Sequence, residues 1–411
     1  MTRVIPAVVR QHAEDATFIH VIRTSILEGP HVKLRDLARF DERIAAHIDG
    51  LLIAGPRALP LLEAALESPT PSALFPACSL AIEGRSEDRL NRYYALAEAM
   101  PEVLPGLISA FGWAPHERLR GLVSSLLNSE NRFRRLIGLA ACAVQRVDAR
   151  AALTAALEGS TPALNARALR SCGELGRTDL MPRCLRFLDS SDPETAFWAA
   201  WASVLLGNRG AALDALKEIG EVAGPFQARA LRLTIQAMSS HGAHACLRQL
   251  ALDAENKRWL IRGSGIAGDP TYAPWLIQHM RNPAVAPLAG EAFTLITGLD
   301  LTRLEYQCRP AEGEGAAKSD DRADEDAALP QPDAERVASW WEANRASFTP
   351  GVHYFVGAPL SREHCLQVLK RGFQRQRILA AYHLCLLEPG TPLFEWRAPA
   401  PRQQRLLASM G

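Results

Sequence analysis

Several groups of residues in this 411-residue chain have types and spacings that chemistry uses. Gly263-Ser-Gly265-Ile-Ala-Gly268 matches G-x-G-x-x-G, the turn in which backbone amides at a helix start cradle a pyrophosphate. It follows the helical pattern Lys257-Arg-Trp-Leu-Ile-Arg and runs into Asp269-Pro270, whereas that fingerprint requires a strand before it and a helix after it. It reads as a turn between repeated units. His241-x-x-His244 offers two imidazoles, but within Ser239-Ser-His-Gly-Ala, read as a turn, with no third ligand nearby in sequence. No Walker loop, HExxH or nucleophile elbow occurs. The sequence therefore assigns no catalytic, cofactor-binding or metal-ligating residue.

One further pattern has a binding rather than a catalytic logic. Arg167 and Arg170, Trp198 and Trp201, and Arg229 and Arg232 are i,i+3 pairs, successive pairs standing about 31 residues apart, and Trp259 with Arg262 continues the series nearly in register. Each pair shares one helix face. Stacking would line them into an Arg-Trp-Arg stripe suited to an acidic protein surface, a nucleic-acid backbone, or the chain's own acidic stretch around Asp320 to Asp326. The other reading makes the tryptophans core residues and the arginines their solvated neighbours. Both stay open at this point.

The elements that would position these residues are helices in a repeat. From Leu122 to Asp300 a unit of about 31 residues recurs, its first helix ending near Leu127, Leu157, Leu188, Ile219, Leu250 and Met280. Stop-and-cap residues follow, as in Gly159-Ser-Thr-Pro162, Asp189-Ser-Ser-Asp-Pro193 and Asn282-Pro283. An Ala-rich second helix comes next, closed by turns such as Gly173-Glu-Leu-Gly176 or Gly298-Leu-Asp300. One such unit cannot bury its apolar face, but stacked units can. The expected fold is all-α: an α-solenoid of HEAT-like two-helix repeats, with one or two degenerate units over 53–99. Cys142 and Cys172 then fall at equivalent points of successive second helices and read as core residues; with the Arg/Trp stripe outward, Leu169, Cys172, Leu175 and Leu231 would face the core.

Around the solenoid (68–308) the expected organisation is a helical N-terminal cap (1–67), an acidic disordered linker (309–336) and a small C-terminal helical segment (337–411). In the cap, Leu34-Arg-Asp-Leu-Ala-Arg-Phe-Asp-Glu-Arg-Ile has apolar residues at helical spacing and charges on the opposite face. From Arg309 to Glu335, nine acidic residues face three basic ones with almost no large apolar residue, a composition unable to offset its own ordering entropy. Beyond it, a helix is expected over Val337 to Phe348 and a helix pair over Ser361 to Arg371 and Gln374 to Leu387. The segment after Gly351 is basic, so the linker could fold back onto it.

Lys and Arg number 46 against 45 Asp and Glu, a net charge of +1, so no global field draws the chain to nucleic acid or anionic lipid. The eight cysteines include no CxxC pair and read as reduced thiols. No secretory leader is legible, and the longest weakly polar run, Ala196 to Gly207, is far short of the ~20 residues that span a bilayer. The expectation is a cytoplasmic protein with no membrane partner. Among helical-repeat enzymes, deoxyhypusine hydroxylase holds iron with several His-Glu pairs, and only His116-Glu117 occurs here. A HEAT-like DNA glycosylase would need a basic, aromatic-lined groove.

The end motifs carry a resemblance. Asp36-Leu-Ala-Arg-Phe-Asp-Glu-Arg-Ile-Ala-Ala-His-Ile-Asp-Gly and the closing Trp341-Glu-Ala-Asn-Arg, Phe348-Thr-Pro-Gly-Val-His-Tyr and Gly372-Phe-Gln-Arg-Gln-Arg resemble a proteobacterial family with HEAT-like repeats. Genes of that family often lie in type VI secretion clusters, and the likeness extends over nearly the whole chain. The resemblance implies a cytoplasmic, non-enzymatic accessory of contact-dependent secretion: an adaptor or chaperone binding an effector or spike-tip protein, with no cofactor and no catalytic residues carried over. The alternatives are an immunity protein neutralising a cognate toxin and, in another class, a HEAT-like nucleic-acid-binding or glycosylase-like protein.

Overall fold

Segments rich in alanine and leucine alternate with Pro, Gly, Asn and Asp along the chain. The computed structural model, which describes residues 5–308, 326 and 328–410, is helical through nearly all of those segments. The extended exception is a small hairpin in which Tyr354 faces Pro359 and Phe355 faces Ala358. The architecture is an all-α solenoid of two-helix repeats. Its second helices are Arg132–Val144, Pro162–Leu175, Pro193–Leu205, Gln227–Ala237, Lys257–Ala267 and Ala286–Thr297, and the paired first helices end at Leu127, Glu158, Leu185, Glu221, Leu250 and His279. The stop signals act as their chemistry requires. Asn131 Oδ1 accepts from Arg134 N–H at 3.1 Å and Asp192 Oδ2 from Thr195 N–H at 2.9 Å, each satisfying a first-turn donor that the helix cannot.

Two compact units divide the chain: 1–28, 32–202 and 392–411 form one, and 29–31 with 203–391 form the other. In the first, Pro6–Ile26 packs on Leu34–Ala54, and two further helix pairs follow, Leu59–Ala65 with Pro71–Glu83 and Glu87–Ala99 with Leu104–Trp113. The degenerate units thus run past Ala99 to Trp113. Ile19, Ile44, Leu62, Phe75 and Phe111 are fully buried and form its core. The cap helix corrects one sequence reading: Asp41, grouped with the solvated charges, is only 2% exposed. Arg23 Nε donates to its Oδ1 at 2.5 Å and Ala400 N–H to its Oδ2 at 2.6 Å, so it binds a buried cation and caps a later helix at once. That later helix, Ala400–Ser409, was not read from sequence. It belongs to the first unit, which includes residues 392–411.

In the second unit Gln227–Ala237, Lys257–Ala267 and Ala286–Thr297 pack side by side. The glycine run of the dinucleotide-like motif, expected as a turn between repeats, lies instead inside and at the end of the helix Lys257–Ala267, with Gly268 alone in the turn. A Cβ on Gly265 would fall 2.6 Å from Ala292 Cα, and Gly268 ends the helix at φ +69°. The motif is a close helix crossing followed by a left-handed stop. Gly265→Ala should accordingly lower stability by about 1–3 kcal/mol, as overpacking does, where an exposed helical Gly→Ala change would stabilise. Chemical denaturation of the variant checks the sign.

Of the acidic stretch 309–336, residues 309–325 and 327 lie outside the described residues. Its flanks meet: Gln307 bridges Pro332, and Cys308 N–H donates to Gln331 O at 3.0 Å. The following helix starts at Ala334, earlier than expected, because Asp333 Oδ1 accepts from the N–H groups of Glu335 and Arg336. Its Trp341 packs with Phe293, Ile296 and Val337. Arg362–Arg371 and Gln374–Leu387 then form the expected pair. Among the described residues no helix is long and apolar enough to cross a membrane.

Candidate partner-binding site

The structure distributes the eight residues of the Arg/Trp series over both units. In the first unit Arg167, Arg170, Trp198 and Trp201 come together. Arg167 and Arg170 lie on Pro162–Leu175, and Glu174 is placed one turn beyond Arg170 and two beyond Arg167, so one carboxylate reaches both guanidiniums. Arg167 Nη2 donates to Glu174 Oε2, and Arg170 Nε to Oε1 at 2.8 Å. Arg170 also lies over the Trp198 ring, 4.7 Å from its centroid. Trp198 and Trp201 meet edge to face at 5.2 Å and are 5% and 3% exposed. Gly173 makes room for Trp201, since a Cβ there would sit 2.6 Å from Trp201 Cζ3. Of the two readings open for these tryptophans, burial describes where they lie.

Glu174 is buried, which alone would raise its carboxyl, but Arg167 and Arg170 outweigh burial and hold it at about 2. Its backbone oxygen accepts from Leu393 N–H at 3.0 Å, and Arg146 pairs with Glu395 at 2.9 Å. The cluster thus braces the returning segment 392–411 within this unit. Cys142, Cys172 and Leu169 are buried, whereas Leu175 is half-buried.

In the second unit Trp259 and Arg262 are joined, the guanidinium 5.6 Å from the ring centroid. Arg229 and Arg232 lie on Gln227–Ala237, Arg229 exposed and Arg232 half-buried. Around Arg262 stand three residues that the i,i+3 template does not select. Arg258 is one turn away on the same helix, Arg375 comes from the first turn of Gln374–Leu387, and Glu291 from Ala286–Thr297. They surround Asp326. Arg262 Nη2 donates to both of its oxygens at 3.0 Å, Arg375 Nη1 to Oδ1 at 3.0 Å, and Arg258 Nη2 to Oδ2. Arg375 Nη1 also donates to Glu291 Oε2 at 2.8 Å. Burial opposes the Asp326 charge, yet Arg262 and Arg375 keep its carboxyl below the usual range, while Glu291, dominated by burial, is pushed up. Arg258 carried a sequence signal, since it precedes Arg262 by four residues, a helix turn. Arg375 was legible only as part of a basic segment, and Glu291 carried no signal.

His241 and His244 lie in the first two turns of the helix Ser240–Leu250, not in a loop, because Ser239 Oγ accepts from Gly242 N–H at 3.3 Å and starts the helix early. His244 Nε2 pairs with Asp269 Oδ2 at 3.1 Å. Among the described residues no three His, Cys, Asp or Glu side chains stand together in a way that could hold a metal ion.

No curated protein and no solved structure matches the chain. Residues 149–232, which include six of the eight Arg/Trp residues, match a family model described as HEAT repeats, and the stacked helix pairs on either side of them share that two-helix, HEAT-like fold.

Proposed function

We propose that this chain is a non-enzymatic protein-binding scaffold working in the cytoplasm as an accessory of type VI secretion, an adaptor or chaperone for an effector or spike-tip protein. The observation that carries the scaffold reading is the HEAT-like repeat array with arginines at its surface: Arg229 is exposed and the side chain of Arg258 is 39% exposed. Repeat arrays offer extended surfaces whose neighbouring units supply contacts in series, and arginine is favoured at protein interfaces. The secretion role rests on the end-motif resemblance. The Arg/Trp series enters this reading through its accessible members, Arg170 in the first unit and Arg229, Arg232, Trp259 and Arg262 in the second, while Arg167, Trp198 and Trp201 are largely buried within the first.

Affinity capture from the native bacterium with the full chain as bait, with and without nuclease, tests it. The expected result is a spike, spike-tip or effector protein retained after nuclease treatment. Recovery of nucleic-acid-dependent material alone would overturn the reading and favour a nucleic-acid binder.

A further inference from the structure

Asp326 is 8% exposed and receives three guanidiniums. Two of them are anchored without it, Arg375 by Glu291 and Arg262 against Trp259. Helices of the second unit therefore hold a carboxylate-shaped set of donors in place whether or not Asp326 is there. Arg258 and Arg262, at 39% and 23% side-chain exposure, open the group to solvent. Forked guanidiniums recognise carboxylates by geometry as well as charge. The occupant itself is not distinctive, since Asp320, Asp321, Asp324 and Glu325 precede it in one acidic run. A carboxylate on any acidic stretch meets the same donors.

We infer that Arg258, Arg262 and Arg375 form a recognition site for an acidic segment of a protein partner, and that Asp326 is a competitor built into the chain which a partner must displace. This rests on the scaffold reading and adds to it the chemistry of what is bound and a threshold for binding. A partner has to offer a better-matched or more numerous set of carboxylates than Asp326 does.

The probe is a fluorescently labelled peptide copying residues 320–329, titrated into the full chain. Asp326→Asn should bind it at least tenfold more tightly than wild type, and adding R258Q/R262Q, which leaves the Arg375–Glu291 pair intact, should abolish binding. Equal affinity of wild type and Asp326→Asn, or binding that survives R258Q/R262Q, would overturn the inference. Hydrogen exchange on wild type carries the test if Asp326→Asn folds poorly. Leu329 N–H donates to Asp326 O at 2.9 Å, so saturating peptide should speed exchange at Leu329 while a peptide with Asn for each acid should not; no acceleration counts against the proposal. The two readings fail separately. A type VI protein captured equally by wild type and R258Q/R262Q keeps the scaffold and removes this site, whereas no protein captured by wild type removes the scaffold whatever the peptide does.

Discussion

Trp201→Ala is expected to destabilise the first unit by about 3–5 kcal/mol, the range for truncating a large buried aromatic. Trp201 is 3% exposed, meets Trp198 edge to face at 5.2 Å, and fills the space that Gly173 leaves open. The surrounding backbone is helical and cannot close around a lost indole. Trp198→Ala should cost a similar amount and also remove the ring beneath Arg170 and the 3.2 Å hydrogen bond from Trp198 Nε1 to Glu194. Denaturant midpoints followed by circular dichroism provide the measurement. Midpoints unchanged in both variants, with partner capture lost, would mean that these rings are contact anchors and not core.

Glu174→Ala should be of comparable size for an electrostatic reason. It leaves Arg167, 11% exposed at its side chain, without a counter-charge, and breaking a buried pair from one side costs about 3–5 kcal/mol. The wild-type protein should reveal the same pair through pH. Glu174 titrates at about 2 when folded, against 4.5 without the fold's influence. A carboxyl held below its unfolded value stabilises fully above that value, and the contribution drains away as pH falls from near 4.5 through about 2. The shift corresponds to a stability change on the order of 3 kcal/mol. Glu174→Gln should flatten the pH dependence of the melting temperature in that window, and a variant that keeps the wild-type slope there would assign the acid sensitivity to other carboxyls.

What sequence made legible follows how local each cause is. Helix ends at Leu127, Leu250 and Gly298, and the helix Gln374–Leu387, follow from residues within one turn of them, so pattern and capping chemistry sufficed. Helix faces were harder. Glu174 and Asp41 look solvated in a local pattern because each is charged, yet both are buried by distant partners, Glu174 beside the backbone of Leu393 and Asp41 beneath Ala400. The same holds for the candidate site. Spacing related Trp259 to Arg262 and the acidic run was visible, but only the folded second unit brings Arg375 and Glu291 to Asp326.

The discontinuous first unit has a consequence for biosynthesis. Its last piece, residues 392–411, is translated only after the whole 203–391 stretch, yet Asp41 requires Ala400, and Arg146 requires Leu393 and Glu395. Domains whose residues are contiguous can fold as they emerge from the ribosome, N-terminal first. Here the second unit has all its residues before the first does. Until residues 392–411 emerge, the helices Pro6–Ile26 and Leu34–Ala54 wait with Arg23 and Asp41 half-assembled, a nascent state that chaperones would meet and that loss of 392–411 would make permanent.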